Sequence, residues 1–246
     1  MTEQKIALVS GGNKGLGLET CRQLARREIT VLMGARDAKK GREAADGLKS
    51  EGMAVEPIQL DVTRADHIAQ VVAFIETRFG WLDILVNNAG MIHPEEPMFA
   101  NSTEQVSLQA LRETFEVNFF GQVALTQALL PLIKKSPAGR IVNVSSILGS
   151  LTLHSDESSE ATQVKPLAYD ASKTALNQFT VHLAASLNKT PIKVNAAHPG
   201  WVRTDLGSSR APMDVEEGAK TAVRLATIGP DGPNGKFFHL DEEIPW

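Results

Sequence analysis

The chain has 246 residues, enough for one large α/β domain or two small ones. Its 42% hydrophobic and 22% charged residues allow a substantial core, and a net charge of −4 argues against a nucleic-acid partner held by broad basic electrostatics. The one cysteine, Cys21, excludes an internal disulfide framework and a cysteine-rich zinc site; it permits a reducing, cytoplasmic setting.

Lys5–Val9 reads as the first strand. Its apolar run is too short for a signal-peptide core, and no stretch approaches bilayer-spanning length, so a soluble chain without a membrane partner is expected. Ser10-Gly11-Gly12-Asn13-Lys14-Gly15-Leu16-Gly17 then joins this strand to a helix over Leu16–Arg27, where Cys21 packs as a small apolar side chain. Glycines in such a turn let backbone N–H groups approach a pyrophosphate, and the helix N-terminus adds partial positive charge. Alone the turn is equally a structural one; its place between strand and helix favours a nucleotide.

The next strand, Thr30–Gly34, ends before Ala35-Arg36-Asp37 and a helix over Ala38–Ser50. An NAD site usually presents an acidic side chain here, to the ribose 2′-hydroxyl. Arg36 is instead the first charged residue, and with Lys14 it suits the 2′-phosphate of NADP; Asp37 speaks against this, and both cations also read as ordinary surface charges. Strand Ala54–Gln59 leads to Leu60-Asp61-Val62 and a helix over Arg64–Phe79. Strand Asp83–Val86 leads to Asn87-Asn88-Ala89-Gly90, and one long helix over Ser107–Ile133 contains Asn118. Strand Arg140–Val144 ends at Ser145-Ser146, and an acidic stretch within Thr152–Pro166 is expected as an exposed loop or short helix. A helix over Ala168–Leu187, a strand over Ile192–Ala197, a loop over Gly200–Pro212, a helix over Val215–Thr227 and a strand over Lys236–His239 complete the chain. Repeated β-α-β units predict an α/β single-domain Rossmann fold: a doubly wound seven-stranded parallel sheet with helices on both faces, over residues 1–246.

Tyr169 is the only tyrosine, and Lys173 lies one helical turn beyond it. An ammonium near a phenol favours phenolate and so lowers a pKa of about 10, making a usable acid/base pair. By itself Tyr-x-x-x-Lys is more often a pair on a helix surface. The glycine-rich turn, Asp61-Val62, Asn88-Ala89-Gly90, Asn118-Phe119-Phe120-Gly121, Ser145-Ser146 and the Tyr169/Lys173 pair occur in this order at successive strand ends. They resemble the short-chain dehydrogenase/reductase family over almost the whole chain. With Val142-Asn143-Val144 and Pro199-Gly200-Trp201-Val202-Arg203-Thr204-Asp205, they resemble its NADPH-dependent carbonyl reductase branch.

That resemblance implies a catalytic set of Asn118, Ser146, Tyr169 and Lys173. Ser146 would bond the substrate carbonyl, Tyr169 donate the proton, and Lys173 tune the phenol and hold the nicotinamide ribose. Asn118 would position a water that resupplies the proton. It implies an NADPH/NADP site from Gly11, Asn13, Lys14, Gly15, Leu16, Gly17 and Arg36, with Asp61 and Val62 at adenine. Asn88, Ala89 and Gly90 line the adenosine ribose, and Pro199, Gly200, Val202 and Thr204 frame the carboxamide and pyrophosphate.

Ser146 and Tyr169 stand further apart than in typical members, so an insertion lies within Ile147–Ala168, and monomer or homodimer is implied. The substrate loop spans about 200–213. Candidate pocket walls are Met91, Ile92, His93, Ile147, Leu148, Leu153, His154, Trp201 and Trp246, an apolar set favouring a hydrophobic ketone, aldehyde or quinone. No metal site is expected, since no His-Glu-x-x-His motif or carboxylate–histidine cluster occurs. An NADP-dependent alcohol dehydrogenase and an idle NADP(H)-binding sensor are the competing readings.

Overall fold

The computed structural model describes residues 4–96, 99 and 101–246. Its sheet runs β3-β2-β1-β4-β5-β6-β7-β8. The strands are β1 (Ile6–Val9), β2 (Thr30–Ala35), β3 (Val55–Gln59), β4 (Ile84–Asn87), β5 (Arg140–Val144), β6 (Lys193–His198), β7 (Phe237–His239) and β8 (Glu242–Glu243). The first seven are parallel and β8 pairs antiparallel to β7. The sheet among the described residues therefore has eight strands, not seven. An exposed Glu-Glu pair has no apolar alternation to announce a strand; only its partner β7 makes it one.

Alternation within β1 sorts the two faces. Ala7 and Val9 pack with Cys21 and Leu24 of α1 (Gly15–Ala25), Leu48 of α2 (Ala38–Ser50) and Val223 of the Val215–Ala226 helix. Ile6 and Leu8 point the other way, to Val71 and Ile75 of α3 (Ala65–Arg78) and to Leu125 and Leu129 of the Gly121–Ile133 helix. Burial on both faces explains why the central strands read as unbroken apolar runs.

The predicted Ser107–Ile133 helix forms without a break over Leu108–Ile133, but not as a uniform α-helix. It divides into α4 (Leu108–Phe115), a π turn over Glu116–Phe120 and α5 (Gly121–Ile133). A π turn has no periodicity signature over so few residues, and such turns concentrate at functional sites. The region between Ser146 and the long C-terminal-half helix holds a 3-10 turn (Ile147–Gly149), α6 (Leu151–Ser155) and a second 3-10 turn (Glu160–Gln163). Helix α7 (Leu167–Ser186) and α8 (Val215–Ala226) follow.

Because β1 through β7 run in one direction, their C-terminal ends share one edge. Strand order reverses between β1 and β4, which opens a crevice at that edge. The segments after β1, β4, β5 and β6 border it.

Candidate active site

The crevice is stitched from both sides. Asn88 Nδ2 donates to Ser10 O (2.9 Å) and Gly11 O (3.2 Å), while Ser10 Oγ accepts from the N–H groups of Asn88 and Ala89, each at 3.0 Å. Gly15 holds a left-handed φ of +52°, and a Cβ there would lie 3.4 Å from Thr204 Cγ2. At Gly17 a Cβ would come within 2.2 Å of Gly11 O, so only glycine lets α1 start this close to the turn. No side chain caps α1 at Lys14, which leaves its first N–H groups to an anion. A dinucleotide pyrophosphate fits this cradle.

Other predicted cofactor residues surround it. Gly11 has φ +65°, and Asn13 and Leu16 are half-buried in the turn and the first helical turn. Val202 is buried against α8, and Gly200 (φ +84°) follows half-buried Pro199. Val62 packs on Gly121, and Asp61 accepts through Oδ1 from the backbone and hydroxyl of Thr63. Arg36 is exposed at the end of β2, and Lys14 pairs with Asp205 at 2.6 Å. Asp37 is committed elsewhere: its carboxylate caps α2 through Lys39 and Lys40 N–H.

Ser146, Asn118, Tyr169 and Lys173 converge beside the crevice, all buried. Ser145 donates to Asn177 Oδ1 at 2.6 Å, so of the serine pair it is Ser146 whose hydroxyl acts on Tyr169. Lys173 Nζ donates to Val144 O (2.8 Å) and lies 5.6 Å from the Tyr169 ring centroid. Asn118 sits in the π turn with its amide fully engaged. Its Oδ1 accepts from Met91 N (2.8 Å), and its Nδ2 donates to Met91 O (2.9 Å) and Ser172 Oγ (3.0 Å). It thus ties the end of β4 to α7.

The electrostatics differ from the simple pair picture. Burial pushes the Tyr169 phenol up to about 12; the Ser146 hydroxyl pulls it down and the Asp170 carboxylate adds to the rise. Lys173 itself is pulled down to about 8 by burial. Desolvation is the largest cause for both, because both groups leave water together.

An apolar cluster of Leu148, Ala161 and Tyr169, with Ile92, Ile147, Leu153 and Val164 against it, surrounds the phenol. Four predicted walls belong to it; Ala161 and Val164 come from the insertion. Met91, half-buried, precedes Ile92 of this cluster and is held by Asn118. Trp201 meets Phe99 edge-on at 5.6 Å, joining the loops after β4 and β6. Trp246 instead stacks on Phe237 of β7. Neither histidine is free: His93 pairs with Glu113 at 3.2 Å, and His154 bonds Leu148 O at 3.0 Å. Among the described residues no group of His, Cys, Asp and Glu could hold a metal. No helix there is long and apolar enough to cross a membrane.

Asp170, next to the phenol, is mostly buried and its Oδ1 has no partner. Burial, and then the Glu96 charge, raises its pKa from 3.8 to about 8. Its stabilising contribution is therefore complete below 3.8 and lost as pH rises through 8. Asp170→Asn should gain in Tm relative to wild type as pH climbs from mildly acidic to 8. A difference in Tm that does not change with pH would contradict the assignment.

The short chain dehydrogenase family model matches residues 5–214. The chain belongs to that family. This short-chain dehydrogenase is 34% identical to (-)-isopiperitenone reductase of Mentha piperita, over 98% of each chain. It is also 34% identical to carbonyl reductase [NADPH] 1 of Mus musculus, over 100% of this chain and 99% of that one. The NADPH-bound carbonyl reductase from chicken fatty liver superposes with a TM-score of 0.85 at 26% identity, covering 99% and 100% of the two chains.

Several residues of the dehydrogenase's site carry no sequence motif. His198 (pKa lowered to about 3 by burial, then by His239) accepts at Nδ1 from Ile147 N, holding the segment just after Ser146. His67 accepts from Asp61 N at 3.1 Å. Glu96 and Ser102, after β4, bond the start of α7. Only the last had an indirect signal: Lys165-Pro166-Leu167 offers that helix no capping side chain.

Proposed function

We propose that this chain is an NADPH-dependent carbonyl reductase acting on a hydrophobic ketone, aldehyde or quinone. The observation that carries the reading is a buried tyrosine, protonated at neutral pH, walled by apolar side chains with Ser146 and Lys173 beside it. A nicotinamide cofactor supplies the hydride that reduces the carbonyl carbon. Ser146 donates a hydrogen bond to the carbonyl oxygen as negative charge grows there. Tyr169 Oη transfers its proton to that oxygen, so the alcohol leaves neutral and the phenolate remains. Lys173, tuned by burial to about 8, stabilises the phenolate and returns the proton from solvent. Asn118 holds Met91 and Ser172 so that pocket wall and catalytic helix keep their spacing.

The same residues serve alcohol oxidation in reverse, and the ratio of reduced to oxidised cofactor sets which direction runs. We place the enzyme in the cytoplasm. The test is NADPH absorbance with a panel of aliphatic, aromatic and quinoid carbonyls; consumption with apolar members is expected. A protein that binds NADPH yet turns over no carbonyl would instead be the idle sensor.

A further inference from the structure

Helix α7 carries both Tyr169 and Lys173, yet its N-cap is Pro166, which offers no side-chain bond. The first N–H groups of a helix have no intrahelical partner, and buried ones need an acceptor. Here the acceptors arrive from far along the chain. Ser102 Oγ accepts from Leu167 N at 2.9 Å. Glu96 Oε1 accepts from Ala168 N at 2.9 Å, and Oε2 from Tyr169 N at 3.1 Å. Ser102 Oγ–H in turn donates to Glu96 Oε1 at 2.5 Å.

Glu96 is 1% exposed, and no cation pairs with it among the described residues. A buried carboxylate is tolerable here because three donors and the positive end of α7 face it. The same stretch is anchored by Glu96 N–H on His93 O, by Ser102 N–H on Lys165 O and by an Asn101–Lys165 bridge. It continues directly from Met91 and Ile92 beside the phenol. One serine at position 166 would cap the helix locally; this chain takes the cap from the segment that walls the pocket.

We infer that Glu96, with Ser102, is a positioning residue for proton transfer: it fixes the first turn of α7 and hence the Tyr169 phenol. This rests on the reading of Tyr169 as the acid. Gln in place of Glu96 keeps one acceptor but turns an NH2 towards Tyr169 N–H, donor against donor. Glu96→Gln is therefore expected to lower kcat by about tenfold or more. KM for the carbonyl and affinity for NADPH should stay within roughly threefold, since Glu96 is buried and offers no surface to either ligand. Amide exchange at Leu167–Tyr169 should quicken in the same variant. Pro166 is already extended (φ −75°, ψ 91°), so Pro166→Ser can adopt the cap geometry, and in a Glu96→Ala background it should restore kcat.

If Glu96→Ala does not fold, Glu96→Gln and Ser102→Ala carry the same comparison. An unchanged kcat in Glu96→Gln, a loss confined to KM or NADPH binding, or a double variant no better than Glu96→Ala overturns the inference. Wild type inactive on every carbonyl would sink the functional reading alone. Amide exchange would then judge the cap, and unchanged rates at Leu167–Tyr169 would reject it.

Discussion

Tyr169→Phe is expected to cut carbonyl reduction by roughly a hundred- to ten-thousand-fold, the range lost when a positioned general acid is removed. The ring stays: phenylalanine still packs against Leu148, Ala161 and Ile92. The hydroxyl goes, and Ser146 loses the group it acts on. Stability should therefore fall by only about 1 kcal/mol, the net value of one hydrogen bond. NADPH binding, followed by fluorescence titration, should persist. Wild-type reduction should decline as pH rises through 8, where Lys173 sheds its proton, while the phenol keeps its own up to about 12. A variant retaining near wild-type turnover, or a rate that climbs through pH 8, would reject Tyr169 as the acid.

The second large effect concerns the adenosine end of the cofactor. Arg36 is exposed at the end of β2, and Lys14 stands in the glycine-rich turn. The neighbouring carboxylate that would draw a ribose 2′-hydroxyl, Asp37, is bound into the cap of α2. A guanidinium–phosphate contact is worth about 1.5–3 kcal/mol, so Arg36→Ala should raise KM for NADPH by roughly ten- to a hundredfold. KM for NADH should not move, because NADH lacks the phosphate. Lys14→Ala should act in the same direction but less, since Lys14 is shared with Asp205 and offers a point charge where Arg36 offers a fork of donors. Comparable efficiency of the wild type with NADH and NADPH would overturn the preference.

Much of the scaffold was legible because local chemistry and burial agree. The strands after which Gly15, Asp61, Asn88, Ser146 and Pro199 stand were all readable, though Glu56 and Gln59 interrupt the apolar residues of the one before Asp61. Strand–turn–helix alternation sufficed to predict a parallel sheet. The spacing of Tyr169 and Lys173 placed both on one helix face. The phenol's environment was not readable: spacing suggested a pKa lowered by Lys173, whereas the fold buries both groups and desolvation wins. The π turn around Asn118 was likewise hidden inside an ordinary helical pattern. Trp246 looked like a pocket wall by its apolar character alone, but the fold spends its ring on Phe237.

By itself, then, the amino-acid sequence determined the family, the doubly wound sheet and the identity of the acid candidate. These depend on patterns within a strand, a turn or one helical turn. Tertiary structure alone decided how the acid is held. Glu96 and Ser102 lie far from α7 in sequence and follow no period that links them to it. Only the return of the chain after β4 brings their oxygens onto N–H groups that Pro166 cannot satisfy. Buried donors must find acceptors wherever the fold supplies them, and that requirement leaves no local mark in the sequence.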